Sequence, residues 1–200
     1  KDRKSDAFIA KELTKALDIS NKYVLTDEMN EHVGKVLERF LHIGEGAVDH
    51  IAGYMDGFKI WKNLSERGVK GIIRGDEGFG FRTVSSPLTV KYNTGLGLCT
   101  DYVNLKNYQE FGFEEQVIPA YLERLEGESL STWRDRIYHA YRVPVMLASL
   151  TNLKTPFLEV MNPLLSRDVL MKVRELPDGL RTEKMAFRKI VENLSPKVKF

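Results

Sequence analysis

The sequence predicts a helix-rich α/β protein in which helices cover a small parallel sheet and the C-terminal half is mostly helical. Three observations lead to this prediction. Most segments carry apolar residues at helical spacing, whereas residues 69–73 form a short apolar run that stops near a glycine. The order helix, short loop, apolar strand is typical of a parallel sheet covered by helices. An apolar content of 42% is sufficient for a hydrophobic core.

Composition and charge restrict the class of protein. At 200 residues the chain suits one domain, and its net charge of +2 comes from lysines and arginines that are scattered among acids. That pattern argues against a nucleic-acid partner, and no apolar run is long enough to indicate a membrane partner. Cys99 is the only cysteine, so an internal disulfide is excluded and a reducing, cytoplasmic location is expected.

The first 80 residues are predicted to form a partial α/β region. Ser5 is placed to cap a first helix. A second helix is predicted from about residue 26 to a break at residues 44–46, and a third from residue 47 to residue 66. Gly68 ends the third helix as a C-terminal cap, and the strand at residues 69–73 follows.

The rest of the chain divides into two further regions. Periodicity fades after residue 80, so residues 81–112 are predicted to be a long loop region with short irregular elements. Residues 113–200 form a helical C-terminal part of the same domain. The predicted helices lie near residues 114–125, 130–150, 167–174 and 183–193.

The segment at residues 71–80, GIIRGDEGFG, is the leading candidate for a functional site. Its strand delivers Asp76 and Glu77 to the region past the carboxyl end of the sheet, where ligands bind in open α/β folds. Paired carboxylates there hold a metal or move a proton. An acidic turn between strand and helix, with Asp76 as a cap, explains the same residues. The local sequence does not decide between a functional carboxylate pair and a structural acidic turn.

Lys184 is the second candidate. It lies in the first turn of the predicted helix at residues 183–193, where an ammonium group is unfavourable for the helix dipole. A lysine can stabilise charge that develops on a phosphate or an oxyanion. A solvated lysine paired with a glutamate is the alternative. The spacing of the four histidines, His139 among them, fits neither a metal site nor a catalytic triad, which indicates structural or surface roles.

Short motifs in the second half of the chain follow a recognisable order. They are TPFLE at residues 155–159, LPDGL at residues 176–180, Glu183-Lys184-x-x-x-Arg188 and a closing LSP at residues 194–196. This order resembles the C-terminal, synthetase part of the asparagine synthetase family, which carries V-P-F-L-D, L-P-x-x-L, E-K-x-x-L-R and a final L-P. Residues 75–80 resemble the end of that family's G-x-G-x-D-E-x-F-G-G-Y loop.

The resemblance implies a specific chemistry. Such enzymes adenylate a carboxylate with ATP, release magnesium pyrophosphate and let an amine attack to form an amide. Their sheet is of the adenine-nucleotide-binding, ATP pyrophosphatase type, so residues 1–80 would be part of such a sheet. The matching positions imply that Asp76 binds Mg²⁺ and that Gly75 belongs to the cofactor-binding loop. They also imply that Lys184 and Glu77, the neighbour of Asp76 in the same loop, are catalytic.

Several departures from the family pattern keep two hypotheses open. The family's Ser-Gly-Gly-x-Asp-Ser nucleotide loop has no match, so the alignment starts downstream of it and the chain alone is expected to be inactive. Arg74 stands near the position of an expected acid, and Glu159 replaces an aspartate.

The first hypothesis is that the chain is part of an amide-forming ligase that takes a small carboxylate and an amine. The second is a diverged, non-catalytic scaffold or interaction domain. A sheet without its upstream strand would expose apolar surface, which the missing N-terminal part or a second copy would cover.

Overall fold

The computed structural model describes residues 5–23, 31–48, 54, 58–76, 78–95, 107, 110, 112 and 118–196. Two residues singled out in the sequence, Glu77 and Cys99, lie outside these ranges. The described part is helix-rich and contains a small parallel sheet, in agreement with the α/β prediction. None of its helices is long and apolar enough to cross a bilayer.

The helices and strands of the described ranges follow one another in a mixed order. They are α1 (Asp6–Ala16), α2 (Val33–Gly44), α3 (Lys59–Glu66), β1 (Gly71–Ile73), α4 (Pro87–Thr94), α5 (Leu130–Ile137), a π-helical segment (Tyr138–Leu147), α6 (Ala148–Asn152), β2 (Glu159–Met161), α7 (Arg167–Glu175), α8 (Asp178–Arg181) and α9 (Met185–Leu194). Short 3₁₀ turns at Ala120–Leu122 and Pro163–Leu165 complete the described elements.

The N-terminal helices confirm some predicted boundaries and correct others. Ser5 caps α1 by accepting a hydrogen bond from the Phe8 amide, as its position predicted. The predicted start of the second helix, near residue 26, lies outside the described residues. Helix α2 begins at Val33, where the ring of His32 accepts from the Gly34 amide and caps it. The predicted third helix is not continuous. Phe58 has a φ of 66°, which lies in the left-handed region, and α3 begins at the next residue, Lys59.

The junction between α3 and β1 follows the predicted glycine signal. Gly68 has a φ of 81°, and its amide and that of Val69 donate to the carbonyls of Ser65 and Leu64. This is a Schellman motif, which glycine favours because it tolerates left-handed backbone. The turn uses Val69, so the strand is shorter than the predicted run and begins at Gly71.

The sheet consists of β1 and β2, paired in parallel with Ile72 opposite Val160. Its outward side chains are strongly exposed, with Ile73 at 73% and Met161 at 55%. Ile72 and Val160 on the other face are only partly covered, so β1 is not buried on both faces. The expected exposure of apolar surface on this sheet is confirmed.

Helix α4 corrects the prediction that residues 81–112 are a loop. Ser86 and Thr89 form a capping box, and Pro87 occupies the first turn, where a missing amide has no cost. Its apolar residues do not form one stripe, which is why periodicity gave no signal. Val90 is nevertheless fully buried.

The predicted helix at residues 130–150 is confirmed as one helical course from α5 through α6. Its middle widens into the π-helical segment that contains Pro144, whose ring removes a backbone donor and disfavours a regular α-helix. The sequence predicts a helix at residues 114–125. The described residues of this range contain only a 3₁₀ turn, which follows Pro119.

Two hydrophobic clusters stabilise this arrangement. The first joins α2 to the end of α6 and contains Val36, Phe40, Tyr54, Phe58 and Leu153. The second joins α4 to α5 and contains Val90, Leu122, Trp133 and Ile137, with the Trp133 indole donating to the Leu122 carbonyl at 2.8 Å. Trp133 is therefore part of the hydrophobic core.

Candidate functional site

The candidate site lies where β1 and β2 end side by side. The ladder continues one step past the strands, because the Arg74 amide donates to the Met161 carbonyl at 2.8 Å. Exposure alternates along this segment, so that Ile72, Arg74 and Asp76 are the less exposed residues. Side chains two apart on extended backbone share a face. The geometry therefore places Arg74 and Asp76 together on the inner face of the strand end.

Arg74 and Asp76 form an ion pair at this strand end. Arg74 Nη2 lies 2.8 Å from Asp76 Oδ1, and the two side chains are 25% and 15% exposed. Three buried polar atoms have no hydrogen-bond partner among the described residues: Arg74 Nη1, Asp76 Oδ2 and Asn162 Oδ1. Asn162 directly follows β2. Buried polar atoms normally find partners, so these three unpaired atoms indicate a site that is completed by a ligand or water.

Lys154 brings a second cation close to Asp76. Its side chain is 2% exposed, and Nζ donates at 2.5 Å to both the Tyr54 hydroxyl and the Leu150 carbonyl. Nζ also lies 5.0 Å from the ring centre of Tyr54 and 5.5 Å from that of Trp61. Burial, reinforced by the Arg74 charge and opposed by Asp76, lowers the pKa of Lys154 to about 8. Lys154 therefore loses its proton at a lower pH than an exposed lysine does.

The same electrostatic surroundings act on Tyr54. Burial raises the pKa of its hydroxyl, with a lowering contribution from Arg74 and a raising one from Asp76. Tyr54 therefore stays a neutral phenol whose oxygen accepts the Lys154 proton donor. These contributions show that Tyr54, Lys154, Arg74 and Asp76 form one electrostatic neighbourhood.

The loop after Asp76 is held by close backbone contacts. A Cβ on Gly78 would lie 3.0 Å from the Leu164 carbonyl oxygen, and one on Gly80 would lie 3.1 Å from Arg134 Cγ and Cδ. Glycine is favoured at both positions, because a larger residue would require the neighbouring atoms to shift by a few tenths of an ångström. Between them Phe79 is buried and stacks on Phe187 of α9 at 5.2 Å. We call residues 78–82 the glycine loop.

A buried ion network anchors the glycine loop to α5 and α8. Asp135 Oδ1 accepts from the Gly80 amide and from Arg134 Nε, each at 2.9 Å. Asp135 Oδ2 accepts from Arg134 Nη2 at 3.1 Å and pairs with Arg181. Arg134 also donates to the carbonyls of Arg82, at 2.5 Å, and Arg181, at 3.1 Å. All three charged side chains are almost fully buried; Arg181 also pairs with Asp178, so Arg134 is the cation that depends most on Asp135 for compensation.

His139 provides a further anchor for the glycine loop. Arg174 Nε donates to His139 Nδ1 at 3.2 Å, so Nδ1 is the acceptor and the proton lies on Nε2, which donates to the Gly78 carbonyl at 2.6 Å. Burial, with a smaller effect of Arg174, lowers the pKa of His139. The structural role expected for this histidine is confirmed.

We predict that stability falls as the pH is lowered because of His139. Its folded pKa is below the unfolded value of about 6.5, so its contribution is present above about pH 6.5 and is lost as the pH falls through the folded pKa. Urea unfolding at a series of pH values between 8 and 5 would measure this. His139→Gln should flatten the dependence, and the same substitution at exposed His42 serves as the control. An equal dependence in the wild type and His139→Gln would contradict the prediction.

Lys184 lies at the opposite end of the glycine loop from Asp76. It precedes α9 with a φ of 58°, and Glu183 before it has a φ of 53°. The Glu183 amide donates to the Phe81 carbonyl at 2.7 Å, and the Thr83 hydroxyl donates to Glu183 at 2.6 Å, which lowers the pKa of Glu183. Lys184 Nζ lies 4.2 Å above the Phe81 ring. Two successive left-handed residues other than glycine are strained, and these contacts hold them.

The structure thus places two predicted site residues near opposite ends of the glycine loop. Asp76 precedes the loop and pairs with Arg74, whereas Lys184 contacts Phe81 near the end of the loop. Gly75 is exposed, and an added Cβ there would meet no described atom within 4 Å. Glu77 lies outside the described residues. The ligase hypothesis also requires Asp76 and Lys184 to face one cavity, and this requirement stays a prediction.

Sequence reasoning missed the contributions of Lys154 and Asn162, and it treated Arg74 only as a departure from a motif. One signal was present, since Arg74 and Asp76 are two apart at a strand end and must share a face. Lys154 gave no signal, because its partner Tyr54 is a hundred positions away in the sequence.

The donor set can be tested against a magnesium ion. Within the described ranges no group of three or more His, Cys, Asp and Glu side chains is arranged to hold a metal. Asp76 Oδ2 and Asn162 Oδ1 are, however, buried oxygens without partners, and Mg²⁺ prefers oxygen ligands. Magnesium often uses one or two protein oxygens together with substrate phosphates. The residues therefore fit a magnesium ion bound together with a phosphate group.

Comparisons with known proteins identify no relative. No protein-family model matches the chain, and neither the curated proteins nor the solved structures contain a match. The functional assignment therefore depends on the residues themselves. Their arrangement offers two cations, one carboxylate and unpaired donor and acceptor atoms at a strand end, which suits a ligand that carries both negative oxygens and a bound cation.

Proposed function

We propose that the chain is part of an asparagine-synthetase-like ligase, which adenylates a small carboxylate with ATP and joins it to an amine. In this proposal the two-stranded sheet is part of an adenine-nucleotide-binding sheet of the ATP pyrophosphatase type, and the chain corresponds to the region after the nucleotide loop. The observation that carries the proposal is the set of unpaired buried atoms of Arg74, Asp76 and Asn162 at the ends of two parallel strands. That edge of a parallel sheet is where nucleotides and phosphates bind in α/β proteins.

Each residue has a role that follows from its surroundings. Arg74 offers a buried N–H to a phosphate oxygen, and Asp76 and Asn162 offer oxygens to the Mg²⁺ that accompanies the phosphates. Magnesium, when bound, neutralises phosphate charge and so favours the release of pyrophosphate. Lys154 adds positive charge to the same neighbourhood.

Lys184 would act at the other end of the glycine loop. Its ammonium group lies 4.2 Å above the Phe81 ring, where a cation–π attraction contributes to its position. In the proposal it stabilises the negative charge that develops when the adenylate forms and when the amine attacks. The Glu183 contacts to Phe81 and Thr83 tie its backbone to the loop that begins at Asp76.

A non-catalytic scaffold or interaction domain is the second candidate, and specific observations favour it. Arg74 already neutralises Asp76, the carboxylate that the ligase would use. The sheet leaves Ile73 and Met161 exposed, and α2 presents an open groove of about 510 Å³ whose apolar lining includes Leu37 and Leu41. Exposed apolar surface of this kind is typical of protein contacts.

Exchange of label between pyrophosphate and ATP distinguishes the two candidates. The full-length gene product that contains this chain should catalyse exchange with at least one acid in a panel of amino acids and other small carboxylates. We predict that Asp76→Asn lowers the exchange rate by about 10-fold to 100-fold, since the loss of a metal ligand or its support has effects of that size. The same substitution at exposed Asp168 is the control. Absence of both exchange and ATP binding at millimolar magnesium would favour the scaffold.

A further inference from the structure

We propose that Asn162 is a magnesium ligand and that, with Asp76 and Arg74, it forms a site for magnesium pyrophosphate that does not bind free magnesium. The proposal rests on the ligase function above. It assigns a binding role to a residue that neither the local sequence pattern nor the resemblance indicated. Its basis is the chemical identity of the three unpaired atoms and their placement at one end of the sheet.

The three atoms have complementary requirements. Asp76 Oδ2 and Asn162 Oδ1 are acceptors, and each needs a cation or a hydrogen-bond donor. Arg74 Nη1 is a donor and needs an oxygen. A magnesium ion with a phosphate group satisfies all three at once, because the metal meets the two oxygens and a phosphate oxygen meets the guanidinium group.

The register of the sheet brings these groups to the same place. Ile73 pairs with Met161, and the Arg74 amide continues the ladder, so Arg74 and Asn162 occupy the next step of two neighbouring strands. Adjacent strands lie about 5 Å apart. Opposite residues in parallel strands point to one face, and here it is the face on which Ile72 and Val160 are partly covered. Asp76 is joined to this face by its ion pair with Arg74.

The net charge of the side chains around the site determines whether free Mg²⁺ or magnesium pyrophosphate binds. Among the described side chains of this cluster, Arg74 neutralises Asp76, and the buried ammonium group of Lys154 leaves a positive excess. A free Mg²⁺ is repelled by that excess. Magnesium pyrophosphate carries a net negative charge and is attracted, so the phosphate oxygens and the metal bind together.

Calorimetry with the full-length gene product tests this proposal with three probes: magnesium chloride, pyrophosphate with a chelator, and magnesium pyrophosphate. The wild type should bind magnesium pyrophosphate and give no heat with magnesium chloride alone. Asn162→Leu should weaken magnesium pyrophosphate binding by about 10-fold or more and leave metal-free pyrophosphate binding unchanged. Exposed Asn193→Leu on α9 is the matched control and should bind as the wild type does.

A second variant makes the test independent of the folding of Asn162→Leu. Asn162→Asp retains an oxygen and adds negative charge, so it should raise the affinity for magnesium pyrophosphate and lower that for metal-free pyrophosphate. Loss of both affinities in equal measure, or no change in either, would overturn the role of Asn162 while leaving the ligase proposal in place. Failure of the wild type to bind magnesium pyrophosphate would contradict both.

Discussion

Asp135→Ala is expected to lower the free energy of unfolding by about 3–5 kcal/mol, the range found when one partner of a buried ion network is removed. Asp135 is 3% exposed, and its two oxygens accept from Arg134, Arg181 and the Gly80 amide. Without it, the buried guanidinium group of Arg134 would lose the carboxylate that pairs with it, while Arg181 would keep its pair with Asp178. The loss is large because buried charge without compensation is more costly than the ion pair is stabilising.

The effect should reach the glycine loop as well as the global stability. Gly80 would lose its side-chain acceptor, and Arg134 would be less well fixed against the carbonyl of Arg82. Hydrogen exchange at the amides of residues 78–82 should accelerate more than exchange in α9, because local opening is easier where fewer contacts remain. The loop would then hold Asp76 and Lys184 less firmly.

Urea unfolding and hydrogen exchange measure these two effects separately. Asp135→Asn retains one carbonyl acceptor and should be destabilised less than Asp135→Ala, although it too leaves a charge uncompensated. Asp168→Ala, an exposed position in the first turn of α7, is the control and should cost less than about 1 kcal/mol. A loss of similar size at Asp135 and Asp168 would show that the network does not contribute as its geometry indicates.

The fold was predictable from the sequence where a local signal determined it. Ser5, Gly68 and the helical course from residue 130 obey local rules of capping, turn formation and periodicity. Helix α4 was missed because its stability comes from a capping box and from Val90, and not from an apolar stripe. The break at Phe58 was missed because core packing imposes a left-handed backbone on a residue that would not adopt it alone.

The candidate site was predictable only in part, for a related reason. The acidic residue at the strand end and the lysine at the start of a helix are visible in the sequence, since each lies at an element boundary. What surrounds them comes from distant parts of the chain: Asp135 contacts Gly80, and Lys154 contacts Tyr54. Such pairings depend on tertiary packing, which local patterns do not record.

Lys184→Ala is expected to reduce ATP–pyrophosphate exchange by about 10²- to 10³-fold, the effect of losing one group that stabilises transition-state charge. The physical reason is the position of its ammonium group on the Phe81 ring, at the end of the loop that begins at Asp76. The same charge attracts phosphate oxygens in the ground state, so part of the loss should appear in KM and the larger part in kcat.

The design must separate this role from a structural one. Lys189→Ala, at an exposed position of the same helix, removes an identical charge and should leave exchange unchanged. Lys184→Arg retains the charge and the contact with an aromatic ring but not the compact ammonium group, so it should recover only part of the activity. Alanine at position 184 should lower the free energy of unfolding by no more than about 1 kcal/mol through the lost cation–π contact. If exchange in Lys184→Ala equals that of the wild type, Lys184 has no part in the chemistry, and the scaffold becomes the better account of this surface.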